Sequence, residues 1–446
     1  MKILFISLGC DKNLVDTETM LGYLSENGYE ITDDENQAEA VVVNTCCFIH
    51  DAKQESVDEI LAMADLKKEG RIKALIVTGC LAQRYKEEIQ EEIPEVDVIM
   101  GTQAIEDIVK ALENVLVGNS TNIIPDINKP LPKLHKRLVT TGGHYAYLKI
   151  AEGCDKHCTY CIIPKVRGTY RSVPMDELLE QARTLVEEVG VKELILVAQE
   201  TTIYGTDLYG AKKLPELLNK LSEIRGLKWI RILYCYPEEI DDTLIETIAT
   251  NDKVCNYLDI PVQHASDRIL KRMGRRTTRT ELEDTINKLR SRIPDICLRT
   301  TLISGFPGET EEDHEEVMDF VDTMEFDRLG VFTYSKEEDT PAALMEDQID
   351  ESIKEERRGE IMELQQAIAF EKADAMLGKI VLAMVEGRIA GEDAYIARTY
   401  MDAPGVDGYL FINTTKELMS GDFAYVRITG SNEYDLIGEL EDEFGE

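Results

Sequence analysis

Residues 152–161 read EGCDKHCTYC, placing Cys154, Cys158 and Cys161 in a C-x3-C-x2-C pattern. Structural zinc takes four ligands in a tetrahedron, and His157, adjacent to Cys158, is poorly placed to be the fourth. Covalent haem requires a histidine directly after C-x-x-C, whereas Ile162 follows Cys161. A disulfide fits neither the odd number of thiols nor a reducing compartment. A [4Fe-4S] cluster held by three thiolates is the choice that needs no fourth residue, because it leaves one iron open to another ligand.

The surroundings of this motif set the fold. Six apolar runs, at 145–153, 193–200, 229–237, 257–264, 297–307 and 328–335, alternate with helix-length segments. Six β-α units predict a partial (β/α)6 barrel, two units short of the usual eight. The cysteine motif follows the first of these strands, at the end of such a barrel where catalytic loops sit. Upstream, KILFISLGC (2–10), AVVVNTC (40–46), KALIVTGC (73–80) and VDVIMG (96–101) alternate with helical patterns. They predict an amino-terminal doubly wound parallel sheet. Three of the four runs end on a cysteine, and parallel strands present their C-terminal ends along one ligand-binding edge. Cys10, Cys46 and Cys80 are therefore expected to converge, while Cys47, one residue on, points the other way and reads as a core thiol. Residues 118–142 carry Gly, Asn, Pro and Thr without periodicity and read as a linker. Residues 341–377 read as a charged connecting helix, and five short strands beyond Gly378 predict a small antiparallel β-barrel. The expected organisation is thus a domain at 1–117, a linker at 118–139, a core at 140–370 and a terminal domain at 373–441.

Composition narrows the function classes. The 446 residues carry a formal net charge of −37, which opposes non-specific attraction to nucleic acid phosphates and favours a basic partner. No apolar run is long enough to span a membrane, and MKILFISLGC is too short for a secretory h-region. A cytoplasmic, reducing location is expected, so the ten cysteines are better read as metal ligands than as five disulfides.

The cysteine motif on a barrel of this kind resembles the radical SAM superfamily. Together with the upstream cysteines and the terminal barrel, the chain is similar over nearly its whole length to the radical SAM methylthiotransferase family, whose last domain is the TRAM domain. The phrases LGCDKNLVDTE, EGCDKHCTYCIIPKVRG, AQETTIYG and TLISGFPGETEEDH resemble its protein-modifying branch. The resemblance implies two [4Fe-4S] clusters: an S-adenosylmethionine (SAM) cluster on Cys154, Cys158 and Cys161, and an auxiliary cluster on Cys10, Cys46 and Cys80. It further implies SAM as methyl donor and radical source, and C–SCH3 replacing C–H at the β-carbon of an aspartate in small-subunit ribosomal protein number twelve. A sulfur source and an electron donor such as flavodoxin or ferredoxin would serve the reaction. Gln199, Glu200 and Arg299 lie on strands where related enzymes contact SAM, and GFPGET at 305–310 either supports SAM or is a strand-to-helix turn. Cys235, Cys255 and Cys297 fall in or beside apolar strands and read as buried small hydrophobes.

Two alternatives stay open on sequence alone: a tRNA methylthiotransferase and a non-catalytic iron–sulfur carrier. From Asp374 onward there are 15 Asp and Glu against 5 Lys and Arg, a net of −10, which suits a basic protein better than RNA. Arg268, Lys271, Arg272, Arg275, Arg276 and Arg279 form the densest basic segment and point the other way, as a possible grip for phosphate or for the SAM carboxylate.

Overall fold

The computed structural model describes residues 1–441. Strands β1 (Lys2–Ser7), β2 (Glu30–Thr32), β3 (Ala40–Thr45), β4 (Ala74–Thr78) and β5 (Val98–Ile99) form a parallel sheet in the order β2-β1-β3-β4-β5. Helices cover both faces, which is why β3 and β4 are buried along their whole length and read as continuous apolar runs. The edge strand β2 has only the sequence EIT, with Glu30 exposed, and so gave no apolar signal.

The central sheet contains β6 (Tyr145–Lys149), β9 (Glu193–Val197), β10 (Trp229–Ile232), β11 (Val254–Asp259), β12 (Cys297–Ser304) and β13 (Arg328–Thr333); a two-stranded ribbon, β7 (Ala151–Glu152) with β8 (Arg171–Ser172), follows β6. All six strands are parallel and neighbours in chain order, the expected partial barrel, open between β6 and β13. Period-2 alternation divides its side chains. Leu148, Leu194, Leu196, Ile230, Leu258 and Leu298 pack among the helices. Tyr147, Ile195, Val197, Trp229, Tyr257 and Cys297 form the inner face, together with Val15 of the first domain and Met384 and Ala403 of the last. Cys235, Cys255 and Cys297 are buried, as expected of small hydrophobes.

After helix Glu351–Asp374 come β14 (Ile380–Arg388), β15 (Ala394–Thr399), β16 (Leu410–Asn413), β17 (Phe423–Asn432) and β18 (Asp435–Leu440), closed in the order β14-β15-β16-β18-β17. One feature departs from the all-antiparallel expectation: β16 and β18 pair parallel. A closed ring with an odd number of strands cannot alternate direction throughout, so at least one parallel pairing is unavoidable.

This barrel caps the inner face of the central sheet. Glu193, at the start of β9, lies between Arg231 on β10 and Arg398 on β15, each at 2.7 Å, with all three side chains fully buried. Burial alone would raise the Glu193 pKa, but Arg398 and Arg231 outweigh it and hold the carboxylate below its ordinary value. Trp229 meets Phe423 edge-on at 4.8 Å. Glu193→Gln leaves two buried guanidiniums without their shared anion. A loss of about 3–5 kcal/mol is expected, seen as an earlier melting transition and faster proteolysis at 375–379; an unchanged melt would refute this account of docking.

Candidate active site

Cys10 caps helix Asp11–Glu26 after β1, Cys46 follows β3, and Cys80 lies in helix Gly79–Arg84 after β4. The three strands are adjacent, so all three thiols arrive at one sheet edge. Gly9 has φ +88°, and a Cβ there would come within 2.7 Å of the Cys46 Cβ; only glycine lets these loops approach. Asn13 Nδ2 donates to the Leu8 and Thr45 carbonyls, at 2.9 and 3.0 Å, which ties the first two loops together. Burial pushes the Cys46 thiol up to about 12 and raises Cys80, against the pull of Arg167. Metal loading must therefore release protons here. Cys47 is fully buried in the core, as its position predicted.

The second triad begins directly after β7. Its loop is pinned where Thr159 N donates to the Met273 carbonyl at 2.9 Å and Thr159 Oγ1 to the Arg272 carbonyl at 2.9 Å. The Cys158 Sγ is 3.5 Å from the Tyr236 hydroxyl, and burial pushes Cys154 up to about 11 and raises Cys161 further. His157 is exposed, with φ +53°. Among the described residues no three Cys, His, Asp or Glu side chains converge on a single ion position. A cubane cluster does not need that convergence, since each thiolate binds a different iron. In each set two thiols are buried and one, Cys10 or Cys161, is partly exposed; with an N–H or O–H donor to sulfur in each set, they fit the donor chemistry of such a cluster.

The two triads are joined. Six residues after Cys161, at the end of helix Ile163–Arg167, Arg167 is 1% exposed; its Nε donates to Cys80 Sγ at 3.3 Å. Its Nη1 meets Asp16 at 2.7 Å and Glu152 at 3.3 Å, and its Nη2 bonds Asn13. Lys149 bonds Glu152 at 2.8 Å and also pairs with Asp16, while Gln199 Nε2 donates to Glu152 at 3.1 Å. Ile162 and Val166 pack into the amino-terminal core. Sequence reading did not single out Arg167, Asp16, Lys149 or Glu152; the only signal was an arginine closing the CIIPKVRG phrase.

Among the residues expected to contact SAM, Gln199 and Glu200 stand just past the end of β9. Lys156, two residues beyond Cys154, has its Nζ 3.8 Å from Glu200, and Glu200 Oε2 is buried without a hydrogen-bond partner. Arg299 is held elsewhere, by Asp259 at 3.1 Å and by Asp407 of the terminal domain at 3.4 Å. No bond joins it to either triad among the described residues. Four of the six residues of the basic segment are committed internally, which narrows the expected phosphate grip to Lys271 and Arg276, exposed and without an ion pair among the described residues. Arg268 pairs with Asp313, Arg272 with Asp347 at 2.8 Å, and Arg279 with Glu283 at 2.7 Å and Asp319 at 2.5 Å. Arg275 is buried against the Tyr236 ring, 4.2 Å from its centroid. In the 305–310 turn Glu309 accepts from Gly305 N at 2.9 Å and pairs with Arg357 at 2.8 Å, which accounts for the turn without a ligand.

Three family patterns match successive parts of the chain: the uncharacterized protein family UPF0004 over residues 2–101, the radical SAM superfamily over 148–321, and the TRAM domain over 377–440. The ribosomal protein uS12 methylthiotransferase RimO of Lachnoclostridium phytofermentans is 61% identical, covering 99% of this chain and 100% of that protein. The RimO proteins of Acetivibrio thermocellus and Clostridioides difficile are 49% and 48% identical, each over 99% of both chains. The chain belongs to the RimO family. Among solved structures, the radical SAM methyltransferase TsrM of Kitasatospora setae superposes with a TM-score of 0.55 at 13% identity, covering 77% of each chain. The cobalamin-dependent radical enzyme OxsB gives 0.51 at 16%, over 77% of this chain and 54% of that one. These two likenesses concern the fold alone.

Two predictions follow from the site's electrostatics. Burial raises Glu200 from 4.5 to about 7, with the Thr202 hydrogen bonds and Lys156 working against it. The folded chain thus keeps a proton that the unfolded chain loses, so stability falls as pH rises between these values. Glu200→Gln should melt with the metal-free parent below pH 4.5 and above it beyond pH 7; a pH-independent offset would contradict the assignment. Arg167→Met leaves the buried Asp16 and Glu152 with Lys149 as their one ion-pair partner among the described residues, with an expected cost of about 3 kcal/mol seen as an earlier melting transition. An unchanged melt would rule out its bridging role.

Proposed function

We propose that this chain replaces a hydrogen on the β-carbon of an aspartate in ribosomal protein uS12 with a methylthio group. Cys154, Cys158 and Cys161 would hold one [4Fe-4S] cluster, Cys10, Cys46 and Cys80 a second. The observation that carries this reading is the pair of thiol triads, two buried thiols and one partly exposed in each, on facing domains bridged by Arg167. With SAM bound, the first cluster supplies a one-electron cleavage that makes a hydrogen-abstracting radical, and SAM also serves as methyl donor.

The chain's own residues do the rest. The unpartnered oxygen of Glu200 faces an interior from which water is excluded, where it would accept from the amino group of SAM, beside Gln199. Arg299 would meet the SAM carboxylate by exchanging one of its two acidic partners. The division into residues 1–117, 140–370 and 373–441, joined by the stretch at 118–139, assigns the auxiliary thiols, the SAM site and the cap to separate bodies. The acidic terminal domain favours a basic protein as substrate, free or within the ribosome, over tRNA. A reducing cytoplasmic setting suits the exposed chemistry of thiolate-bound iron, with a flavodoxin or ferredoxin as electron donor and a separate sulfur source.

The test offers the anaerobically reconstituted, reduced protein, with SAM and sulfide, either uS12 or unmodified tRNA. A methylthio group on an aspartate of uS12 is expected by mass spectrometry; product on tRNA alone would overturn the reading. The parent should carry about eight irons per chain and Cys80→Ala about four. That variant should still cleave SAM while making no product; loss of SAM cleavage would contradict the division of labour.

A further inference from the structure

Nine lysines and arginines are buried among the described residues, and eight of them have a carboxylate within 4 Å. The ninth is Lys12. It is 6% exposed and makes no ion pair or hydrogen bond among the described residues; its one polar contact is with the face of Tyr234, 3.3 Å from the ring centroid. Its backbone position deepens the anomaly. Lys12 is the second residue of helix Asp11–Glu26, whose amino-terminal end carries the positive pole of the helix dipole and favours an anion. A buried charge without a counter-ion is costly, and where a local rule is broken without compensation a functional site is the expected reason.

The surroundings say where the missing anion belongs. Tyr234, just past the end of β10, has φ +60°; its backbone N–H donates to Asp259 at 3.1 Å and its hydroxyl to Asp11 at 3.2 Å. Lys12 therefore sits two residues from Cys10, over a ring at the C-terminal end of the central sheet, where the amino-terminal domain meets the inner face. A substrate carbon must reach this junction to lie between the two triads.

We infer that Lys12 binds the side-chain carboxylate of the substrate aspartate. This rests on the function proposed above. In an aspartate the carboxylate carbon is bonded directly to the β-carbon, so an ion pair to Lys12 holds the reacting carbon one bond from the anchored carboxylate, on the Cys10 side of the junction. An amide oxygen can accept a hydrogen bond from the ammonium but brings no counter-charge to it, so the same residue favours aspartate over asparagine.

The experiment measures binding of uS12 to the full, cluster-loaded chain by calorimetry, using uS12 with aspartate and with asparagine at the modified position. The parent should bind the aspartate form roughly 10- to 100-fold tighter, the range expected of a desolvated charge-assisted bond. Lys12→Met should abolish the difference by weakening the aspartate form alone, and Lys12→Arg should restore part of it. Iron content and melting temperature of Lys12→Met report whether the fold is intact. Discrimination that survives in Lys12→Met, or equal weakening of both forms, overturns the assignment; so does a loss confined to SAM affinity, which would make the SAM carboxylate the anion. Failure of the parent to bind either form of uS12 would instead remove the substrate reading itself.

Discussion

The guanidinium of Arg167 has almost no contact with water, and each of its nitrogens is bonded. It reaches Cys80 and Asn13 on one domain, Asp16 on that domain's first helix, and Glu152 on its own. Removing any partner strands charge in a medium that tolerates it poorly. The arrangement is therefore satisfied at one relative position of the two domains. Because Arg167 closes the helix that begins just after Cys161, fixing this one side chain also fixes the distance from the second triad to the first. The proposed reaction between two thiol-held groups would require such a fixed separation, since small misplacements of reacting atoms are expensive.

Both triads arise from the same property of parallel sheets. Strands that run one way end along one edge, and loops leaving that edge bring distant residues together. In the first domain the edge collects Cys10, Cys46 and Cys80 from three adjacent strands. In the central domain the corresponding edge carries the Cys154 loop, Gln199, Glu200 and Tyr234. The two edges meet at the junction where Lys12 and Arg167 lie, bonded across it by Arg167 to Cys80 and by Tyr234 to Asp11.

Much of this was legible in the sequence because it depends on local periodicity. Three strands of the first domain are apolar runs that stop at a thiol, the other three cysteines share one short spaced motif, and the order of β-α units fixes which strand ends are adjacent. What escaped reading depends on contacts between distant segments. The Arg167–Cys80 bond joins residues 87 positions apart, and nothing near either one announces the other. The basic segment at 268–279 looked freer than it is because the carboxylates that meet Arg268, Arg272 and Arg279, at 313, 347 and 319, come from separate elements. β2 was too short for its pattern to register, and the parallel β16–β18 pairing follows from ring closure, which no strand encodes by itself.

The terminal barrel shows how one domain divides its charges between two tasks. Arg398 turns inward to share Glu193 with Arg231, and Asp407 and Asp402 turn inward to Arg299 and Arg328, at 3.4 and 2.7 Å. These bonds hold the barrel over Trp229 and Tyr257, where it closes the inner face against water. With Arg398, Asp402 and Asp407 all turned inward, one positive and two negative charges leave the surface, so the net of −10 becomes −9 outside and the acidic excess is kept. The docking that seals the site thus also leaves an outward field that attracts a basic protein and repels a phosphate backbone. Sealing and partner selection come from one set of arginine and carboxylate placements.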